Sequence, residues 1–418
     1  MYINRSEHIR QPETDIQTNI STTVPSAQLT VQQLYLRHSV PYIFLLFITL
    51  LAISSCKGSS SNVSEFDYTD NEYAELFAIK IDENGDRFLI INETWDGSSN
   101  PKEYRLVDRS ERKDGVYEQN EIPIPLQNIA CMSTSHIAYI SALGKTGIIK
   151  AVSGTRYISN PVIPERVASG EVKDIGYEAA LNYELLIAVQ PDILFTYGIS
   201  GQDNQHLKKL KELGIRHLVI GDYLENHPLG KLEYLKLFGA LLGCYDSADS
   251  IYKATSGRYL EIKENIAELI DKKSKVLMNA PWRDIWYIPG DKSYMSVLIR
   301  DAGGELLGSR IGEYISYPYG FEEIISKAYD ADYWLNPNSY ATMQELSAVN
   351  PLFSKLPLFK SGRIFNNIKQ NTPMGGSNFW EQGVVEPDII LKDLATILHP
   401  EVYSNEKREN LQYYLELL

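Results

Sequence analysis

Two segments in distant parts of the chain set acidic residues in the same local context. The first runs from Asn182 to Gly198 and the second from Gly320 to Pro337. Glu184 falls in the first turn of a helix opened by Asn182, a side chain suited to the N-cap. Glu322 and Glu323 fall in the first turn of the second helix. A carboxylate on an exposed helix start complements the helix dipole, and it can also take an arginine guanidinium through two parallel hydrogen bonds. Each segment then carries an Asp ahead of an apolar strand: Asp192 before Ile193-Leu194-Phe195-Thr196, and Asp332 before Tyr333-Trp334-Leu335. The pattern reads as one helix–strand unit used twice, once per lobe. Two lobes that each present an acidic helix start suggest a clamp that docks on a basic partner.

Other chemistries leave no matching pattern. Gly308-Ser309-Arg310-Ile311-Gly312 displaces the serine from the position a nucleophile elbow requires. Gly144-Lys145-Thr146 lacks the upstream glycine of a phosphate loop, because Tyr139 stands there. No CxxC or HExxH occurs, and the seven histidines are scattered, so a directly bound zinc or manganese ion is not expected and no resident cofactor is assigned. A net charge of −14 repels a phosphate backbone, which argues against non-specific nucleic-acid binding. The 28 tyrosines offer large, rather rigid contact faces with one polar tip.

These residues need a scaffold, and the patterning supplies an α/β one. Alternation on both sides of Asp82-Glu83-Asn84-Gly85-Asp86 predicts an N-terminal β-hairpin. From Ile129 onward, short helices alternate with buried strands, as in a parallel sheet covered on both faces. Residues 229–271 contain no proline and keep helical spacing, with a break expected near Gly243–Asp246, where Asp246 or Ser247 can cap a second helix. This stretch is expected to act as a rigid strut between an N-terminal lobe, 72–228, and a C-terminal lobe, 273–418. After it the α/β alternation resumes, through a helix ended by Ala302-Gly303-Gly304 and a last helix stopped at Pro400.

Residues 1–55 read as a leader. Polar residues precede Arg37-His38 and an apolar run, Val40–Ile53, which is short for a membrane span and suited to a signal segment. Leu51-Ala52-Ile53-Ser54-Ser55-Cys56 resembles a lipobox, in which Cys56 is lipidated and becomes the mature N-terminus, with residues 56–71 as a flexible tether. Cys131 and Cys244 are left as two separate buried thiols or one disulfide.

The chain resembles the substrate-binding lipoproteins of ABC importers for vitamin B12, ferric siderophores and haem. The resemblance is carried by Glu184 through Pro191-Asp192, the interlobe helix, Trp286-Tyr287-Ile288-Pro289-Gly290, Ser293-Tyr294, Ala302-Gly303-Gly304, Glu322 through Ala331-Asp332, Trp380-Glu381-Gln382-Gly383 and His399-Pro400-Glu401. It implies a non-enzymatic, membrane-anchored and periplasm-facing monomer with two doubly wound α/β lobes joined by a long rigid helix, the class III arrangement, here with extra N-terminal β-hairpins. It implies docking on permease arginines through Glu184 and Glu322, with Glu323 as the alternative to Glu322. The ligand belongs in the crevice between lobes, on loops at strand ends. There Tyr157, Tyr177, Tyr197, Trp282, Trp286, Tyr287, Tyr294 and Trp380 offer stacking faces, and Arg156 and Arg283 offer partners for carboxylates or phosphate. The expected cargo is cobalamin or a ferric siderophore. Haem or another chelated metal on the same fold is the alternative, and a surface enzyme or adhesin is a more distant one.

Overall fold

Residues 67–69, 71–92, 101–112, 115–177, 180–198, 203–403 and 408–418 are described by the computed structural model. The leader, Cys56 and most of the tether lie outside them. Apolar alternation builds the first sheet. β2 (Phe77–Ile81) and β3 (Arg87–Ile91) pair antiparallel from Phe77↔Ile91 to Ile81↔Arg87, around a turn in which Gly85 takes φ +83°. β1 (Asp67–Thr69) adds to β2 and β4 (Lys102–Asp108) to β3, both antiparallel, while β5 (Glu121–Ile124) lies parallel to β4. Phe77, Ile79, Leu89, Ile91, Leu106 and Ile122 are buried into the main core.

The second sheet is parallel throughout. Its strands are β6 (Ile129–Cys131), β7 (Ile149–Val152), β8 (Lys173–Asp174), β9 (Ile193–Thr196) and β10 (His217–Val219), in spatial order β10-β9-β6-β7-β8. The connections carry α1 (Thr134–Ala142), α2 (Val162–Ala168), α3 (Tyr183–Val189) and α4 (Asp203–Glu212). Covered on both faces, the central strands β6 and β9 bury every side chain in turn.

The strut expected over residues 229–271 divides into two helices, α5 (Pro228–Leu241) and α6 (Tyr245–Leu269), at Gly243, which takes φ +66°. The break falls where expected, but Cys244 occupies the cap position, and Asp246 sits in the first turn beside the dipole rather than capping it. All residues of α5 are buried. α6 buries one stripe, Ala248, Tyr252, Thr255, Tyr259 and Ile266. The two helices pack closely at Gly239, where a Cβ would stand 2.4 Å from that of Ala248.

The third sheet contains β11 (Ser274–Met278), β13 (Gly304–Leu306), β15 (Tyr333–Leu335), β16 (Ile364–Asn366) and β17 (Leu415–Glu416), in order β13-β11-β15-β16-β17, with only β17 antiparallel. β12 (Ile285–Ile288) and β14 (Tyr317–Gly320) form a separate antiparallel ribbon. The helices are α7 (Tyr294–Asp301), α8 (Phe321–Ala328), α9 (Met343–Val349), α10 (Pro357–Lys360) and α11 (Pro387–Leu398).

In both parallel sheets the chain first moves outward from a central strand and then crosses to its other side. The crossing places β9 beside β6 and β15 beside β11. Each crossing strand is the one preceded by a repeated acidic helix, α3 or α8. The two Asp residues of the repeat also do the same work. Asp192 bonds Asn128 through its backbone and takes the Gln127 and Asn128 N–H groups on its carboxylate, at 2.7 and 3.0 Å. Asp332 bonds Lys275 through its backbone and takes the Lys275 N–H on its carboxylate at 2.9 Å. Each Asp therefore ties the start of the crossing strand to the start of the central one. The fold is two doubly wound α/β units with an N-terminal, mostly antiparallel sheet. Cys131 and Cys244 are both free thiols, the first buried and the second half-buried.

Candidate functional site

In a doubly wound sheet a ligand crevice opens outside the carboxyl ends of the strands, where the chain crosses. The loops there are those after β6, β7 and β9 in one sheet and after β11 and β15 in the other. After β7, Gly154 turns the chain at φ +66° into a short 3₁₀ turn, Thr155–Tyr157. A Cβ on Gly154 would lie 3.1 Å from the Tyr177 ring and 3.3 Å from that of Tyr157, so glycine lets both rings close over the turn. The rings stand 5.5 Å apart at 52°. The Arg156 guanidinium lies 4.4 Å above the Tyr157 ring and hydrogen-bonds its hydroxyl. Asp174, at the end of β8, fastens the loop by accepting from Thr155 N and Oγ1, Gly154 N and Gly176 N. Burial pushes its carboxyl up, but the donors from Thr155, Gly176 and Gly154 outweigh burial and hold it below its ordinary range.

A loop from the C-terminal half closes on this cluster. Gly376 packs so tightly that a Cβ there would lie 2.5 Å from the Tyr157 carbonyl oxygen. Beside it the buried Glu381 carboxylate accepts from Ser159 N at 2.6 Å and Asn160 N at 2.7 Å. Burial pushes that carboxyl up to about 7, with the two N–H donors pulling the other way.

Three expected ligand contacts, Arg156, Tyr157 and Tyr177, are therefore brought together, and none is fully buried. Tyr294 and Trp380 form a second pair, with centroids 6.0 Å apart and the Lys231 ammonium 4.5 Å over the Tyr294 ring. Tyr294 is 4% exposed and Trp380 half-buried, so this pair offers less open surface than the first. Trp282 and Arg283 form a third group on the loop after β11. Trp282 is 50% exposed, with Ile285 and half-buried Tyr287 on the outer face of the ribbon. Tyr197 is half-buried against the cluster under α4.

Trp286 is corrected. It is fully buried, 5.6 Å from Trp334, and its Nε1 donates to Met278 O at 2.9 Å. On the ribbon it alternates inward with Ile288, so its ring belongs to the core and offers no stacking face. Arg283 changes neighbourhood. It lines a depression of about 460 Å³ together with Phe321, Glu322 and Asn350, on the surface that carries the second acidic helix.

The acidic helix starts are exposed in both units. Asn182 caps α3 by accepting from Leu185 N at 2.9 Å, and Glu184 projects to solvent beside the 45%-exposed Ile187. In α8, Glu322 and Glu323 are both exposed in the first turn, and Gly320 provides no side-chain cap. Among the described residues neither helix start forms an ion pair, and each carboxylate remains available to an incoming cation.

Several functional-looking groups escaped sequence reasoning. Glu225 and Glu233 capture the backbone N–H groups of residues 72–76, with Lys236 paired to Glu233 at 2.8 Å. His136 is fully buried with neither ring nitrogen hydrogen-bonded, and burial pushes it down to about 4. Glu225 and Glu233 lie about 150 to 160 residues from the segment they hold, and no local spacing signals that contact. Among the described residues, no three His, Cys, Asp or Glu side chains gather as a metal-holding group.

Residues 129–369 match a family model described as periplasmic binding protein. An uncharacterized lipoprotein of Methanocaldococcus jannaschii is 28% identical over 355 residues, covering 81% of this chain and 79% of its own length. A second uncharacterized lipoprotein of that organism is 25% identical over 336 residues, covering 75% and 79%. Among solved structures, a periplasmic haem-binding protein from Pseudomonas aeruginosa aligns with a TM-score of 0.51 at 19% identity, over 66% of this chain and 93% of that one. A possible iron-binding (periplasmic solute-binding) protein from Staphylococcus epidermidis aligns with a TM-score of 0.51 at 18% identity, over 65% and 98%. At such identities these structures show the fold.

Proposed function

The chain belongs to the periplasmic binding protein family, and from that premise we propose that it is the lipid-anchored capture component of an ABC importer. It faces the periplasm, holds one metal chelate of the cobalamin or ferric-siderophore class between its lobes, and passes it to a permease. In this reading residues 72–228 and 273–418 are the lobes, and residues 229–272 join them. Arg156, Tyr157 and Tyr177 form one wall of the ligand crevice. Tyr294 and Trp380 lie at its floor, and Trp282 and Tyr287 at the opposite side.

The observation that carries the reading is the repeated unit. In each parallel sheet the helix before the crossing strand presents an exposed carboxylate in its first turn, and the following Asp holds that strand to the central one. A dipole role alone asks nothing of exposure or of repetition in both sheets. Two such groups match a permease that offers one arginine cluster to each lobe, and a bidentate contact on each would sense both lobes at once.

The test begins with the full chain in detergent, screened by thermal shift against cyanocobalamin, cobinamide, ferric siderophores and haemin. A ligand that binds only the folded state raises the melting temperature, and a shifted Soret band would mark haem as the cargo instead. With the ligand in hand, E184A/E322A should abolish uptake in cells and leave the dissociation constant unchanged. Loss of affinity would move these residues into the binding site. Unchanged uptake would remove them from docking.

A further inference from the structure

At the amino-terminal ends of β9 and β10, on the far side of that sheet from the crevice, a hollow of about 450 Å³ is lined by Arg109, Arg112, Arg216, Tyr117 and Asp192. It forms where the N-terminal antiparallel sheet meets the first parallel sheet. Arg109 follows β4, Arg112 lies just beyond, and Arg216 immediately precedes β10. Two of the three guanidinium groups form ion pairs. Arg109 pairs with Asp192 at 2.5 Å and donates to Pro125 O at 2.7 Å. Arg112 pairs with Glu121 at 2.6 Å.

Arg216 is not matched in this way. Among the described residues its guanidinium makes one hydrogen bond, a long contact to Glu118 O at 3.4 Å. Its Nε is buried without a partner, and among the described residues it forms no ion pair. Burial also holds its pKa below the ordinary value, despite Asp192 nearby. Asp192 takes Arg109 and two backbone N–H groups, all on Oδ2, and among the described residues neither of its oxygens pairs with Arg216. A half-buried cation without an ion-pair partner is costly, and an arriving anion would offset that cost.

We propose that this hollow is a second ligand site, separate from the crevice, that binds a phosphate group. Three guanidinium groups on three segments surround one volume. A tetrahedral phosphate has an oxygen for each, whereas a planar carboxylate has two, and arginine suits phosphate through its planar fork. The volume exceeds that of a bare phosphate, and Tyr117, Pro123 and Pro191 leave room for an organic remainder. The chain is acidic overall, at −14, so the long-range field does not draw an anion here, and recognition must come from these local groups. A free phosphate monoester and a phospholipid headgroup offer the same chemistry.

The full chain in detergent is titrated with inorganic phosphate and with glycerol phosphate, against chloride at matched ionic strength, reading melting temperature and phosphorus NMR. A parallel arm adds micelles containing phosphatidylglycerol or phosphatidylcholine. R216Q is expected to weaken phosphate binding by about tenfold or more and, by removing an unmatched buried charge, to leave the unliganded melting temperature unchanged or higher. R112Q, at the more exposed edge, keeps the test open if R216Q folds poorly, and should weaken binding less. Response to soluble phosphates identifies a free monoester. Response only to phosphatidylglycerol identifies a headgroup. The proposal is overturned if phosphate acts no differently from chloride and both lipids act alike, or if both variants bind as the native chain does.

Discussion

Glu233 shows how much one side chain can organise. Its two oxygens accept from the N–H groups of Glu72, Tyr73 and Ala74 at 2.9–3.0 Å, and from the Lys236 ammonium at 2.8 Å. Glu225 takes the next two, Glu75 and Leu76. The bent segment leading into β2, residues 71–76, lies outside the strands, so these two carboxylates supply the acceptors its N–H groups would otherwise lack. Replacing Glu233 by Ala leaves three N–H donors and a buried ammonium without their acceptor. The expected loss is about 3 kcal/mol or more, since removing one partner of a buried pair strands the other. Urea unfolding of E233A against the native chain measures it. A loss under about 1 kcal/mol would mean that water replaces the carboxylate and that the segment is held by other contacts.

At the scale of elements, the α5–α6 pair rests on a close approach rather than on side-chain length. Gly239→Leu would place a Cβ 2.4 Å from that of Ala248 and 3.1 Å from the Tyr245 Cα, with the rest of the side chain still to house. Overpacking of this kind costs roughly 1–3 kcal/mol, read as a lower urea midpoint, whereas Gly257→Leu on the same helix pair meets nothing within 4 Å and should be close to neutral. Elements of this kind were partly legible beforehand. Asn182 marks a helix start by local chemistry, and Gly243 marks the break between the two helices. The aromatic contacts were harder. Trp286 and Trp282 look alike in sequence, and only the two-residue period of β12, with Ile285 and Tyr287 outward and Trp286 and Ile288 inward, separates them. Glu381 was unreadable as a contact because its partners, Ser159 and Asn160, lie more than two hundred residues away, and no spacing rule reaches that far.

Across the whole molecule, buried titratable groups set the response to pH, and they oppose one another. Glu225 and Glu381 are pushed up to about 7 by burial, from an ordinary 4.5. Between those values the folded state holds protons that the unfolded chain has lost, so each group stabilises the fold fully below about 4.5, and that contribution fades as pH rises through about 7. His136 and His227 are pushed down to about 4 by burial, from 6.5. For His227 this agrees with its geometry, because Nδ1 accepts from Leu229 N at the start of α5 and must be unprotonated to do so. The unfolded chain binds their protons first, so their contribution is present above about 6.5 and is lost as pH falls through about 4. Over the shared window the two carboxyls and the two imidazoles pull in opposite directions by similar amounts, and their sum is close to flat. E381Q removes one of the four and keeps a neutral side chain of the same shape. Its unfolding free energy, measured between pH 4.5 and 8, should therefore rise relative to the native chain, by on the order of 3 kcal/mol across the window. The rise should end once pH passes the native carboxyl's midpoint near 7. Two parallel profiles would mean that Glu381 is ionised throughout, held charged by Ser159 and Asn160 despite its burial, and that the contact between the crevice loop and the C-terminal half is a permanent ionic one.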